Sequence, residues 1–143
     1  MVSTTVPATP AHLADLHIAV RNFWIEFERL TGAPLEVTRR AQLETAIGEL
    51  ASNIVRHAYA ASSRSGEMTL TLSGYPDRVE GTFRDSGVPY TGPPPAELTM
   101  PDPLALAELP EGGWGLHLTR AAVDELTYTR ASGTNCWRFV RRL

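Results

Sequence analysis

Apolar residues recur along this chain at two periods, and the change from one to the other lays out the elements. Leu13, Leu16, Val20, Phe23, Trp24 and Phe27 return at three- and four-residue steps from Pro10 until Thr31-Gly32-Ala33-Pro34. That spacing predicts an amphipathic helix with a large aromatic face, stopped by glycine and proline. Within residues 35–60, Leu43, Ile47, Leu50 and Ile54 repeat at spacings of four, three and four, which predicts a second helix with one core-facing stripe. The period then drops to two. Residues 68–73 and 78–83 alternate around Gly74-Tyr75-Pro76-Asp77, the pattern of a β-hairpin. A third helix is expected over 114–124, behind two glycines, and a closing strand pair over 125–130 and 135–143 around Ala131-Ser132-Gly133-Thr134. The β-branched run 2–6, ended by Pro7, suits a short strand near a sheet edge.

Two stretches interrupt the pattern. Ser62-Ser63-Arg64-Ser65-Gly66 is polar and small, and residues 88–113 hold seven of the eleven prolines with little regularity beyond Leu104, Leu106 and Leu109. A loop of that length inside a compact domain is usually functional or disordered. The order strand, two helices, two strands, loop, helix, two strands contains no internal repeat. It predicts an α+β fold, a two-layer sandwich whose mixed, mostly antiparallel sheet carries about three helices on one face. A length of 143 residues suits a single domain over 1–143.

Composition narrows the setting. No apolar stretch approaches the ~18 residues of a membrane span, and the N-terminus lacks the order of a signal peptide, so a cytoplasmic protein without membrane association is expected. Thirteen basic against sixteen acidic residues give a net charge of −3, which disfavours direct nucleic-acid binding. The single cysteine, Cys136, leaves no internal disulfide and reads as a small strand residue. Three arginines in 138–142 interleave with Phe139 and Val140, as on the solvated edge of a half-buried strand, a basic docking patch being the alternative.

Four local features carry candidate chemistry. In Glu49-Leu50-Ala51-Ser52-Asn53-Ile54-Val55-Arg56-His57, the residues Glu49, Asn53 and His57 lie at i, i+4 and i+8 with Arg56 one step earlier. All four are expected along one helix side, which alone is also an ordinary polar face. Arg84-Asp85-Ser86-Gly87 puts an aspartate where a strand opens into a glycine turn. There it can accept from an exocyclic amine while Gly87 lets a flat ring approach, although Asp-Ser-Gly is simply a good turn as well. Glu111-Gly112-Gly113-Trp114-Gly115-Leu116-His117-Leu118 opens a helix with glycines, a site for anions at exposed N–H groups. It is neither a P-loop nor a dinucleotide-binding fingerprint. His117 reads as a residue of that helix's outer face, the alternative being a phosphate contact. Gly133-Thr134 sets a hydroxyl beside the last turn.

In this order the features resemble the N box, the Asp-x-Gly box and the Gly-x-Gly box of the GHKL superfamily, over about residues 43–140. The short length, the helix ahead of the N box and the ending Gly133-Thr134 are most similar to the bacterial anti-sigma factor serine/threonine kinases. The resemblance implies the Bergerat type of sandwich, with ATP and Mg²⁺ as cofactors. It implies Glu49 as the general base, Asn53 as the Mg²⁺ ligand, and Arg56 in a place often held by lysine near the phosphates. Asp85 would bind the adenine amino group, Gly87 would pack against the base, and Thr134 would support Asp85 directly or through water. Gly113 and Gly115 would wrap the phosphates from the lid side, with His57 and Leu116 completing the nucleotide contacts.

The activity implied is phosphorylation of a serine or threonine on a STAS-type anti-sigma antagonist, alternating with sequestration of a sigma factor, by a homodimer. Phosphate charge added to the antagonist would switch the partners. The chain departs from the superfamily in having no lysine or arginine over 88–115, so Arg56, the metal or a partner must supply cationic charge at the γ-phosphate. That departure leaves a second reading open, a nucleotide-dependent binding module with little or no catalysis. The crowding of Phe23, Trp24 and Phe27 suggests a dimer and partner surface that includes the first helix, the alternative being that all three enter the core.

Overall fold

The computed structural model describes residues 1–59, 66–99 and 114–143. Strand β1 (Val2–Pro7) leads through a 3-10 turn at Pro10–His12 into helix α1 (Leu13–Thr31). Helix α2 (Val37–Asn53) runs without a break into a π turn at Ile54–Ala58. Strands β2 (Glu67–Tyr75) and β3 (Arg78–Asp85) follow, then helix α3 (Gly115–Ala122) and strands β4 (Glu125–Ala131) and β5 (Thr134–Arg142). The second helix was expected from residue 35, but it starts at Val37. Glu36 caps it there, its carboxylate accepting from the Thr38 and Arg39 amides at 3.1 and 3.3 Å.

The sheet order is β1-β2-β3-β5-β4 and every neighbouring pair is antiparallel, where the sequence allowed for a mixed sheet. The β4–β5 hairpin turns at Ser132-Gly133, whose φ angles of 52° and 77° are both positive. A two-residue turn of that hand matches the right-handed twist of its strands, and glycine adopts it without strain. Strand β5 lies inside the sheet, between β3 and β4, so its arginines do not form the expected solvated edge. Arg138 reaches Glu80 at 3.0 Å and Arg142 reaches Glu125 at 3.2 Å. Arg141 points to the helix side, donating to Gln42 at 2.8 Å.

Helices and sheet bury one shared core. Leu43, Leu50 and Ile54 from the α2 stripe meet Met68, Leu70, Phe83 and Phe139 from alternate strand positions, all essentially inaccessible to solvent. Each such side chain contributes on the order of 1.5–3 kcal/mol by leaving water. Phe23, Trp24 and Phe27 enter this core at 3%, 6% and 6% exposure, so the aromatic crowding is spent inward and supplies no docking anchors. Trp24 also donates its indole N–H to Glu44 at 2.9 Å, tying α1 to α2. The large apolar residues that α1 does expose are Ile18, Ile25 and Leu30. The opposite sheet face is polar, with Ser3–Thr71 and Thr5–Thr69 hydroxyl pairs across strands. No helix among the described residues is long and apolar enough to cross a membrane.

Candidate functional site

The C-terminal end of α2 and the ends of β3 and β5 converge on a cleft of about 540 Å³, within the usual range for a small-molecule site. Asn53, His57, Asp85, Leu116 and His117 line it. The π turn accounts for how the helix reaches the sheet here. Its wider coil leaves the Ala58 carbonyl for the Val88 amide, which donates to it at 3.0 Å. The same change of pitch breaks the expected common face: Arg56 is exposed and does not line the cleft, while His57 does.

Asp85 ends β3 and is buried. Its Oδ1 accepts from the Gly87 amide at 2.8 Å and from Asn135 Nδ2 at 2.9 Å. Its Oδ2 is buried with no hydrogen-bond partner among the described residues. A carboxylate oxygen left unpaired in this way is unfavourable unless something donates to it, so the cleft carries a marked place for a donor. Gly87 is required by its neighbour: a Cβ there would stand 2.5 Å from the Ala58 carbonyl oxygen and Cβ. Packing against the end of the helix, rather than against a ring, is the constraint visible at this glycine.

The direct support of Asp85 comes from Asn135, not from Thr134. The two are successive residues of β5 and so point to opposite faces, and only Asn135 stands on the inner face across from Asp85 in the β3–β5 register. Tyr128 donates its hydroxyl to Asn135 Oδ1, and Arg130 Nη1 donates to the same oxygen at 2.7 Å and to Gly87 O at 2.8 Å. Tyr90, Tyr128 and Trp137 pack with ring centroids 4.8 to 5.4 Å apart, forming an aromatic wall. Burial pushes the Tyr90 phenol above its ordinary pKa, and its protonated hydroxyl donates to Pro93 O at 2.6 Å. Burial likewise raises Tyr59, outweighing the Ser86 amide that donates to its oxygen at 2.9 Å. Of the groups that hold Asp85, Gly87 stood out in the sequence, whereas Asn135, Tyr128 and Arg130 did not. The available signal was Asn135 itself, a polar residue in an inward slot two positions before Trp137.

At the other end, Glu49 is one helical turn before Asn53 and its carboxylate lies against the start of α3. A Cβ on Gly115 would stand 2.5 Å from Glu49 Oε2, so glycine leaves the carboxylate its room. Leu116 lines the cleft. His117 does not sit on an outer face. It is half-buried in the cleft wall with Nδ1 2.6 Å from Thr99 O. Gly113 lies outside the described residues, as do Glu111, Gly112 and most of the 88–113 loop.

Comparison with known proteins gives this geometry a context. The family described as "Histidine kinase-like ATPase domain" matches residues 6–141. Serine-protein kinase RsbW of Bacillus licheniformis is 31% identical over 99 residues, covering 64% of this chain and 58% of that protein. RsbW of Staphylococcus epidermidis is 31% identical over 90 residues, covering 62% and 57%. The chain thus spans a little over half the length of these relatives. The solved RsbU and RsbW domains of a Mycobacterium tuberculosis protein superpose with a TM-score of 0.60 at 19% identity, over 100% of this chain and 33% of that one. The histidine kinase domain of a blue-light-activated kinase from Erythrobacter litoralis gives 0.58 at 16% identity, over 90% and 61%. Both likenesses are of fold, as expected for a helix-covered antiparallel sheet. With the match extending over nearly its whole length, the chain belongs to the histidine kinase-like ATPase domain family.

Proposed function

We propose that the protein is an ATP-dependent serine/threonine kinase of the anti-sigma type, which phosphorylates a STAS-type antagonist and otherwise sequesters a sigma factor. The observation that carries the nucleotide reading is Asp85 Oδ2, buried on the cleft wall and without a partner among the described residues. An acceptor-only carboxylate oxygen suits an exocyclic amine such as that of adenine. Bound Mg-ATP would supply the transferable phosphoryl group, with the cation offsetting phosphate charge. Asn53 offers an amide oxygen on the cleft wall for that cation. Because no group of three or more His, Cys, Asp or Glu among the described residues could hold a metal, the other ligands would be phosphate oxygens and water.

Glu49 is the base that would take the proton from an incoming serine or threonine hydroxyl. The position of its carboxylate, one turn from Asn53 and at the start of α3, suits a group acting where the phosphates end. Leu116 and His57 border the nucleotide, and Gly113 and Gly115 would approach its phosphates. Phosphate placed on the antagonist repels it from the kinase and releases the kinase for the sigma factor. A cytoplasmic location and a homodimer complete the proposal.

The second reading, a nucleotide-dependent binding module without turnover, draws on a specific feature. Among the described residues the cleft wall carries histidines but no lysine or arginine. Two measurements separate the readings. Calorimetric titration should show Mg-ATP binding to the wild type and binding about a hundredfold weaker to Asp85→Ala. Radiolabelled ATP with a STAS-type antagonist should then show transfer to serine or threonine. Binding without transfer to any such partner would select the module.

A further inference from the structure

We infer that Asn135 is a positioning residue that sets base selectivity through Asp85, and that Tyr128 and Arg130 hold it in the selective orientation. The inference rests on the nucleotide reading above. A carboxylate by itself offers two equivalent oxygens on a broad, two-fold torsion, and so gives no direction to a donor. Asn135 removes that equivalence. Its Nδ2 donates to Asp85 Oδ1 at 2.9 Å and to Val88 O at 3.0 Å, using both amide hydrogens, with Gly87 O a longer neighbour at 3.3 Å. Asp85 Oδ1 is therefore saturated by Asn135 and the Gly87 amide, and Oδ2 alone is left for a ligand.

The orientation of the amide follows from its partners' chemistry. Its Oδ1 accepts from the Arg130 guanidinium, which has no acceptor, and from the Tyr128 hydroxyl. The Tyr128 oxygen in turn accepts from the Tyr90 amide at 3.0 Å, which directs the hydroxyl proton toward Asn135. Flipping the amide would set NH₂ against the guanidinium and an oxygen against the Asp85 carboxylate. Only one orientation satisfies every group.

Two consequences follow. The cleft presents a fixed, acceptor-only oxygen to the base edge, so a purine with an amine at ring position 6 is accepted and one with a carbonyl there is repelled. In addition, the same amide holds Val88 O while Tyr128 holds the Tyr90 amide, so base reading and the root of the 88–113 loop share one anchor.

The test is the ratio of affinities for Mg-ATP and Mg-ITP, which differ in having an amine or a carbonyl at that ring position. Wild type should prefer ATP by about tenfold or more, the scale of one hydrogen bond to a charged group. Asn135→Ala should bring the preference close to unity by weakening ATP while leaving ITP little changed. Tyr128→Phe should move the ratio the same way by less, with its melting temperature checked in parallel. Both variants losing ATP and ITP by one common factor would mean that Asn135 is merely structural, and the inference would be overturned. A wild type without any preference would instead overturn the adenine reading of Asp85 from which the inference starts. Should Asn135→Ala fail to fold, Tyr128→Phe alone decides on the same ratio.

Discussion

At the β3–β5 end of the cleft, Asp85, Asn135, Tyr128, Arg130 and four backbone groups are joined in one network that leaves a single oxygen open among the described residues. At the α2–α3 end, Glu49, Asn53 and His57 make no side-chain hydrogen bond among the described residues, and Arg56 faces solvent. The first region sits on paired strands, where the register fixes which residues face one another. The second sits on a helix that ends in a π turn and faces a short helix. A site that must tell one flat base from another gains from groups held before the ligand arrives. A site that meets a flexible, highly charged triphosphate and then a protein hydroxyl can leave its groups unpaired until they are engaged.

The contrast can be broken from either side. The largest effect is expected at the looser end, where Glu49→Gln should retain ATP affinity and lose about 10²–10⁴ in phosphotransfer rate, because the general base is removed without a ground-state contact. Single-turnover transfer to an antagonist measures it, and an unchanged rate would return Glu49 to a structural role at the start of α3. At the organised end, Asp85→Ala should weaken ATP by about a hundredfold while the fold persists, since the hydrogen bond lost is to a charged group. Titration calorimetry with circular dichroism reports both quantities, and equal affinities would sink the assignment.

Gly87→Ala tests the join between the two ends. The added methyl would meet the Ala58 backbone, which cannot rotate away, so a loss of about 1–3 kcal/mol of stability is expected in denaturant melts. An unaltered midpoint would mean that the helix end and the turn move apart freely. The smallest effect should come from Arg56→Ala, which exposes no new cavity and leaves the cleft wall intact. ATP affinity without a partner should change by less than about threefold, in keeping with weakly held surface charge. A larger loss would show that Arg56 swings onto the phosphates and would favour kinase turnover despite the absence of lysine and arginine over 88–115.

Much of this was legible in the chain alone. Residue periodicity, the glycines ahead of the last helix and the β-branched residues of 2–6 located the three helices and five strands of the described residues, because burial of one face is a local property that repeats with the geometry of the element. The order of Glu49, Asn53, Asp85, Gly87 and Gly115 pointed to a family that the match over 6–141 bears out. Motif reading stops, however, where two segments far apart in sequence have to meet. Tertiary packing alone turned Phe23, Trp24 and Phe27 into core, since an apolar helix face does not state whether sheet or partner will cover it. The π turn alone separated Arg56 from His57, because a one-residue change in helical pitch leaves no mark in the spacing of polar residues. Asn135 and Thr134 are neighbours in sequence with equally suitable polar groups. The antiparallel register of β5 on β3 decided between them, turning one inward to Asp85 and the other away.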